Sequence, residues 1–304
     1  MSQLIIVIIL LILIICRLYY LNKNISKEHF ADYESQANPI NPNYFIPKII
    51  WTYWDSPDPP KIVKLIIENR NKVLSSYQTY TLSDSTLTAF INLEEIPSNY
   101  SKLMPQHKGD WIRLKLLSLY GGTWLDASII VNDLKDFTLL YDESVSKQSE
   151  YTGFYVDLGT NSKGLPAYID NWFIMSPINS NVINMWLKEY ESAIDMGFDT
   201  YLSMINSQND IEWGKKEETY FTAQLCLQVL LQKKIKPFPN ILLHNALHHM
   251  MKIHAECAGK YSETPEQEKC VGDTIISDPR TKQIPYIKLR SNDRNFDIEP
   301  YFKV

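Results

Sequence analysis

The sequence is poor in glycine and cysteine, with 10 and 4 in 304 residues. The glycines nowhere gather into a phosphate-cradling loop. Neither the dinucleotide-binding fingerprint nor the Walker pattern is present, which removes those two routes to a nucleotide. The cysteines show no metal-type spacing. Cys16 lies in an apolar run and Cys226 in an apolar helical pattern, while Cys257 and Cys270 flank a polar loop that a disulfide could close. No basic run stands out and the formal net charge is −5. No sequence-wide field attracts nucleic acid, and none is expected as a partner. No internal repeat is apparent.

What is abundant is apolar and aromatic. Hydrophobic residues make up 45% of the chain, with 19 Tyr and 7 Trp, so a sizeable core is available for one large α/β domain or two small ones. Tyr and Trp suit surfaces that stack on sugars or bases, but they fill cores more often. The string "LIIVIILLILIIC" (residues 4–16) is unbroken hydrocarbon, and "RLYYL" extends it to residue 21 with one interruption at Arg17. As a helix it would be roughly 27 Å long, just short of a ~30 Å hydrocarbon core. Arg17 can snorkel to the interface beside Tyr19 and Tyr20. A cleaved signal peptide would need a basic leading segment and a small-x-small cleavage site, and neither is visible. The expectation is a single-pass membrane anchor over residues 1–22. Arg17, Lys23 and Lys27 lie on its C-terminal flank, which puts the main domain on the cytoplasmic side. The sequons at Asn24 and Asn99 would matter only in the opposite topology.

Residues 23–44 are polar and turn-rich, with Pro39 and Pro42, and read as a stalk. Residues 45–304 form the expected catalytic domain. It opens on "IPKIIWTYW", a β-rich run entered through Pro47 that predicts a buried first strand. "KIVKLIIENRNKVL" follows, with Ile62, Val63, Leu65, Ile66 and Ile67 spaced for a helix packed on a sheet. "YQTYTLSD" predicts a second strand ending at Asp84, and "STLTAFI" a second helical piece. The alternation points to a parallel α/β sheet with ligands at the C-terminal ends of its strands.

The densest segment is "HKGDWIRLKLLSLYGGTWLDASIIV" (residues 107–131). Its apolar positions predict a buried helix over residues 110–120, stopped by Gly121 and Gly122, one of them in the left-handed cap conformation. Asp110 and Arg113 are three apart on one face of that helix. By spacing alone they read as a surface ion pair worth a few tenths of a kcal/mol; at the rim of a cleft they would orient a ligand's hydroxyls. "TWLDASIIVN" alternates as one strand, with Leu125, Ala127, Ile129 and Val131 facing one way and Trp124, Asp126 and Ser128 the other. A carboxylate in so apolar a strand is costly unless it is paired, hydrogen-bonded or bound to a cation. A divalent ion held there could bind a diphosphate. Asp126 could equally accept backbone N–H groups at a strand end.

"IPKIIWTYW", "SDSTL", "HKGDWIRLKLLSLYGGTWLDAS", "NWFIMS" and the late "IPYIKL" occur in the order seen in capsular polysaccharide synthesis proteins. That family in turn resembles the DXD-bearing glycosyltransferases that include the Golgi initiating mannosyltransferases. The resemblance runs from about residue 45 to about residue 290. It implies a GT-A fold, one Rossmann-like α/β domain that binds a nucleotide-sugar and an acceptor in adjoining halves of a cleft. It puts Trp51 and Tyr53 near the nucleotide base and Asp84 beside the nucleoside. Asp110 and Arg113 match a motif that addresses the donor's sugar and phosphates, with Gly109 where serine is commoner. Asp126 matches the first aspartate of DXD and Ser128 takes the place of the second, so the two become the metal ligands for Mn²⁺ or Mg²⁺. Asn171 and Trp172 match a pair on the sugar and acceptor side, and Tyr220 and Phe221 an aromatic position in a helix beginning near Glu217, where Glu217 or Glu218 could equally be a surface acid favoured by the helix dipole.

"LHNALHHMMKIHAEC" spaces His244 and His248 for one helical face; either could complete an Asp126 site, a zinc site being the weaker alternative. The resulting expectation is a membrane-anchored, metal-assisted glycosyltransferase that moves a sugar from a nucleotide-sugar to a hydroxyl of a growing glycan or glycolipid, retaining anomeric configuration. Asp126, Asp110 and Arg113 are its expected catalytic residues. The rival expectations are a sugar-phosphate transferase and a non-catalytic nucleotide- or glycan-binding membrane protein.

Overall fold

The computed structural model describes residues 41–214 and 218–303. The expected anchor and nearly all of the expected stalk lie outside the described residues. Among the described residues no helix is long and apolar enough to cross a membrane.

The first strand, β1 (Ile49–Tyr53), is followed by α1 (Lys61–Val73), which buries Val63, Ile66, Ile67 and Arg70. β2 (Gln78–Leu82) stops two residues short of Asp84, and "STLTAFI" forms only a 3-10 turn at Leu87–Ala89. α2 (Pro105–Tyr120) begins earlier than the apolar pattern suggests. Proline suits the first helical position because that N–H has no partner to lose. Gly121 ends the helix at φ 62, ψ −157, a glycine region distinct from the left-handed helical cap. Gly122 follows at φ 94, where a Cβ would come within 2.7 Å of the Ile49 carbonyl oxygen. This close passage sends the chain directly from α2 into the sheet.

The expected single strand through Asp126 is two strands. β3 (Gly122–Leu125) belongs to the main sheet and β4 (Ile129–Val131) to a second one. Between them Ile129 N donates to Asp126 O at 3.1 Å, a turn that puts Asp126 at the end of a strand rather than inside one. The chain continues through α3 (Leu134–Ser146), β5 (Tyr151–Tyr155), β6 (Ile169–Ser176), α4 (Asn181–Met196) and α5 (Phe198–Gln208). α6 (Thr222–Val229), β7 (Ile241–Asn245), α7 (Lys252–Ala258), α8 (Thr264–Ser277) and β8 (Tyr286–Lys288) complete the part that builds the site.

The main sheet has strand order β2-β1-β3-β6-β5-β7. β1 is parallel to β2 and β3, β5 is parallel to β7, and β6 is antiparallel to both of its neighbours. Five strands therefore run one way and β6 alone runs back. The expected parallel sheet is mixed. Its two faces bury different cores. Trp51, Trp111, Trp124 and Trp186 pack on one face with α2, α4 and α6; Ile50, Leu125, Phe137, Phe154 and Phe173 pack on the other with α3. β4 pairs antiparallel with β8, Ile129 opposite Lys288, over a third cluster formed with α7 and α8. A disulfide joins Cys257 to Cys270 and ties α7 to α8, the pairing the sequence left open.

Two glycines separate backbone strain from steric clash. Gly197, at φ 85, has nothing within 4 Å of an added Cβ. Gly197→Ala should cost about 1–3 kcal/mol from strain alone. Gly122→Ala adds a collision with a backbone oxygen and should lower the urea midpoint clearly further. Equal midpoints would show that the β3 entry is not sterically fixed.

Candidate active site

Because β6 runs against its neighbours, its N-terminal half lies at the same edge as the C-terminal ends of β1 and β3. Asp126, just past β3, donates its backbone N–H to Trp172 O at 2.9 Å, locking the two strand ends together. The β4–β8 register then brings Lys288 to the same point. These elements wall a cleft of ≈ 570 Å³ whose lining includes Tyr53, Asp110, Arg113, Asp126, Asn171 and Lys288. The edge is where an α/β sheet leaves its backbone ends free to meet a ligand.

Arg113 organises the charges. One guanidinium nitrogen, Nη1, donates to Asp110 Oδ1 at 2.7 Å and the other, Nη2, to Asp126 Oδ1 at 2.9 Å, while the guanidinium lies 5.1 Å from the Trp124 ring centre. Asp110 and Arg113 are both buried, so the exposed surface pair suggested by their spacing is a buried one. Asn171 Nδ2 donates to Asp110 Oδ1 at 2.9 Å, and Gln224 Nε2 from α6 donates to Asn171 Oδ1 at 3.1 Å. Burial pushes the Asp110 carboxyl up to about 6 despite the neighbouring Arg113.

Asp126 is held from every side. Burial would raise its carboxyl, but Lys288 and Arg113 keep it below the usual range. Trp124 Nε1 donates to Oδ1 at 2.9 Å, and Lys288 Nζ donates to Oδ2 at 2.7 Å and to Ser128 Oγ at 2.9 Å. Behind the turn, Arg70 of α1 donates to Asp126 O at 3.2 Å and to Thr52 Oγ1 at 2.6 Å. Desolvation lowers the Arg70 guanidinium to about 10, still a cation near neutral pH. Asp126 and Ser128 do face one site, as the expected alternation had them, but through Lys288 rather than through strand geometry.

Asp126 and Ser128 do not fit a protein-held divalent ion in this arrangement. Both carboxylate oxygens and the hydroxyl already accept hydrogen bonds, each from a cation: Arg113 on Asp126 Oδ1, and Lys288 on Asp126 Oδ2 and Ser128 Oγ. Among the described residues no group of three or more His, Cys, Asp or Glu side chains could hold a metal ion. Placing a positive charge about 4 Å from the ammonium costs about 4 kcal/mol at an effective dielectric near 20, and a divalent ion about twice that.

The other expected residues divide. Tyr53 and Trp172 line the cleft, with Trp172 stacked 5.3 Å from Phe154, and Tyr220 lines it too. Trp51 does not: it is in the core, stacked on Tyr80 at 5.1 Å, with its indole N–H donating to Gly121 O. Asp84 lies outside the lining and is taken up by Tyr53, Tyr100 and Lys108, the first through a 2.6 Å bond from the phenol. It fixes Tyr53 instead of presenting a carboxylate to a ligand. His244 is on β7 and His248 in a 3-10 turn, so the two share no helix, and among the described residues no histidine lines the cleft. His254 is buried against Asp293 at 2.7 Å.

Among the lining residues that carried no assigned role in the sequence, three charged ones bear on the site. Lys288 sits inside the recognised "IPYIKL" string, but nothing in that string says which residue it will face. Asp170, next to Asn171, is buried with Tyr168 O–H donating to it at 3.2 Å, and burial pushes its carboxyl up to about 6. Arg294 lies over the Trp54 ring at 5.1 Å on the cleft wall.

The sequence profile of the capsular polysaccharide synthesis protein family matches residues 15–264, and the chain belongs to that family. Among characterised proteins it is similar to the O-glycosyltransferase braB of Annulohypoxylon truncatum, 24% identical over 183 residues, which is 55% of this chain and 42% of that protein. The chain thus spans less than half of that relative's length. Among solved structures it is similar to a glycosyltransferase involved in the glycosylation of the major capsid of PBCV-1 (11% identity, 84% of this chain and 98% of that one, TM-score 0.41). It is also similar to the PaToxG glycosyltransferase (15% identity, 85% and 87%, TM-score 0.36).

Removing the shared cation should expose the coupling. Arg113→Met leaves two carboxylates at the cleft without their common partner and should cost about 3–5 kcal/mol in urea unfolding. Arg113→Lys, able to reach only one of them, should fall between. A loss under about 1 kcal/mol for Arg113→Met would mean that the pair contributes little to the fold.

Proposed function

We propose that this chain is a GT-A-type glycosyltransferase that moves a sugar from a nucleotide-diphosphate donor to a hydroxyl of a growing glycan or glycolipid. The observation that carries the reading is the continuous charge chain Asp110–Arg113–Asp126–Lys288 at the ligand edge of the sheet, with Asn171 hydrogen-bonded into it. Membership of the capsular polysaccharide synthesis family and the likeness to an O-glycosyltransferase support it.

Breaking the bond from the sugar to the diphosphate leaves negative charge on a phosphate oxygen. Arg113 and Lys288 are fixed cations in a partly desolvated cleft, so they compensate that charge without reorganising as it forms. Asp126 sets the position of both and keeps either from being captured by solvent. Asp110 and Asn171 hold the donor side of the cleft rigid, and rigidity of this kind lowers the entropic cost of aligning two substrates. Asp170 and Trp172 also line the cleft, beside Asp126 and Lys288, and on this reading they serve the acceptor sugar that presents its hydroxyl. Retention of anomeric configuration belongs to the same reading, as does membrane attachment through the apolar run at residues 4–21.

The Cys257–Cys270 bridge bears on the side of the membrane. Disulfides persist in oxidising surroundings and are rare in a reducing cytoplasm. It supports an oxidising compartment for this domain, against the cytoplasmic side favoured by the charges flanking the apolar run.

The test is release of nucleoside diphosphate from a panel of nucleotide-sugars by the purified full chain, assayed both with Mn²⁺ and with EDTA. Turnover of at least one donor is expected. Binding of donors without turnover under any condition would favour a non-catalytic binding protein, and phosphate in the acceptor product a sugar-phosphate transferase. Asp170→Asn should lower kcat about tenfold or more with KM for the donor little changed. A rise in donor KM with unchanged kcat would put Asp170 on the donor side instead.

A further inference from the structure

The saturation of Asp126 has a chemical counterpart in the ammonium bound to it. A lysine ammonium has three N–H donors. Two of those of Lys288 go to Asp126 Oδ2 and Ser128 Oγ, at 2.7 and 2.9 Å. Its side chain is 13% exposed and lines the cleft, which leaves one N–H for a ligand. The position of Ser128 matters equally. A second carboxylate there would add negative charge and demand a cation; a hydroxyl adds none and accepts from Lys288. The missing carboxylate and the added ammonium therefore change the local charge in the same direction. Arg113, bound to the other oxygen of Asp126, contributes a second fixed cation whose Nε is buried without a partner among the described residues.

We propose that Lys288 is a built-in replacement for the divalent ion, a positioned ammonium that binds the donor's diphosphate directly and makes transfer independent of added metal. The proposal rests on the glycosyltransferase reading and specifies how that site meets its substrate. In the transfer step the bond between the anomeric carbon and the phosphate oxygen breaks and its electron pair stays on that oxygen, beside the Lys288 ammonium. The acceptor hydroxyl oxygen forms the new bond to the anomeric carbon, and its proton leaves with the nucleoside diphosphate. No redox partner or co-reactant is needed. Ser128 and Asp126 are positioning residues for the ammonium: a neutral acceptor and a charged one that together fix where its free N–H points.

The experiment has a binding arm and a turnover arm. In the first, UDP and GDP are titrated into the full chain in EDTA and in Mn²⁺, read by thermal shift and calorimetry. At least one should bind in EDTA with an affinity within about threefold of that in Mn²⁺. Lys288→Met should weaken binding in EDTA about 10- to 100-fold, the scale of a lost charge-assisted hydrogen bond, and Lys288→Arg should keep most of it. Binding of both only when Mn²⁺ is present would overturn the proposal, as would unchanged binding by a folded Lys288→Met variant. In the second arm, wild-type turnover should persist in EDTA, and the double variant Ser128→Asp/Lys288→Met should turn over only with Mn²⁺. Wild-type turnover abolished by EDTA and restored by Mn²⁺ would sink the built-in cation while leaving the glycosyltransferase reading intact. Diphosphate binding in EDTA with no turnover of any nucleotide-sugar would do the reverse.

Discussion

One guanidinium shared by a buried carboxylate and a partly buried one is the constraint on which the site depends. Arg113 reaches Asp110 with one nitrogen and Asp126 with the other, at 2.7 and 2.9 Å, and so ties α2 to the end of β3. Arginine suits this role because its planar fork can serve two acceptors at once, where a lysine offers a single charged point. Asp110 would not be tolerable as an ion at this depth without it, since an unpaired buried charge costs several kcal/mol, whereas Asp126 keeps Lys288 as a second cation. The two aspartates in turn fix the arginine. Each of the three groups explains the placement of the other two.

The sheet supplies the convergence. A wholly parallel sheet would have brought only strand C-termini to the ligand edge. The reversal of β6 also brings the start of a strand there, so Asp170, Asn171 and Trp172 meet Asp126 from the opposite direction. The turn after Asp126 then releases the chain into a second, two-stranded sheet, and β8 returns 160 residues further along the sequence to present Lys288 to Ser128. Arg70 secures this turn from beneath by binding its first carbonyl. The site is thus an intersection of two sheets and one helix. That geometry accounts for a cleft whose central charges, Asp110, Arg113, Asp126 and Lys288, are paired with one another.

Much of this was legible locally. The strand–helix alternation, the apolar face of α1, the glycine stop after Tyr120 and the oddity of an aspartate in an apolar run all follow from short-range periodicity and turn chemistry. The ligand edge, the Asp110–Arg113 pair and the importance of Asp126 could be named from those patterns together with the family resemblance. Other readings failed for identifiable reasons. "TWLDASIIVN" alternates perfectly, but alternation does not report that a strand changes sheets midway, because both halves remain buried. Trp51 was assigned to a ligand because it lies in a motif; its neighbours Tyr80, Phe90 and Tyr120 come from three separate segments and claim it for the core. His244 and His248 have helical spacing, yet one pairs into β7 and the other sits in a turn.

What the sequence determined by itself is therefore the charges of the central segment and the edge at which they act, because the i, i+3 spacing of Asp110 and Arg113 is local geometry and a carboxylate at Asp126 stands out in an apolar run. What only the tertiary structure decided is the state of that charge. Whether Asp110 is a surface ion or a buried acid, and whether Asp126 waits for a metal or already holds its cations, depends on Asn171, Gln224 and Lys288. Those residues come from β6, α6 and β8, and no spacing rule links them to the central segment. Electrostatic character is set by what is near in space and by how much water is excluded. The sequence lists the charges, and the fold decides which of them meet.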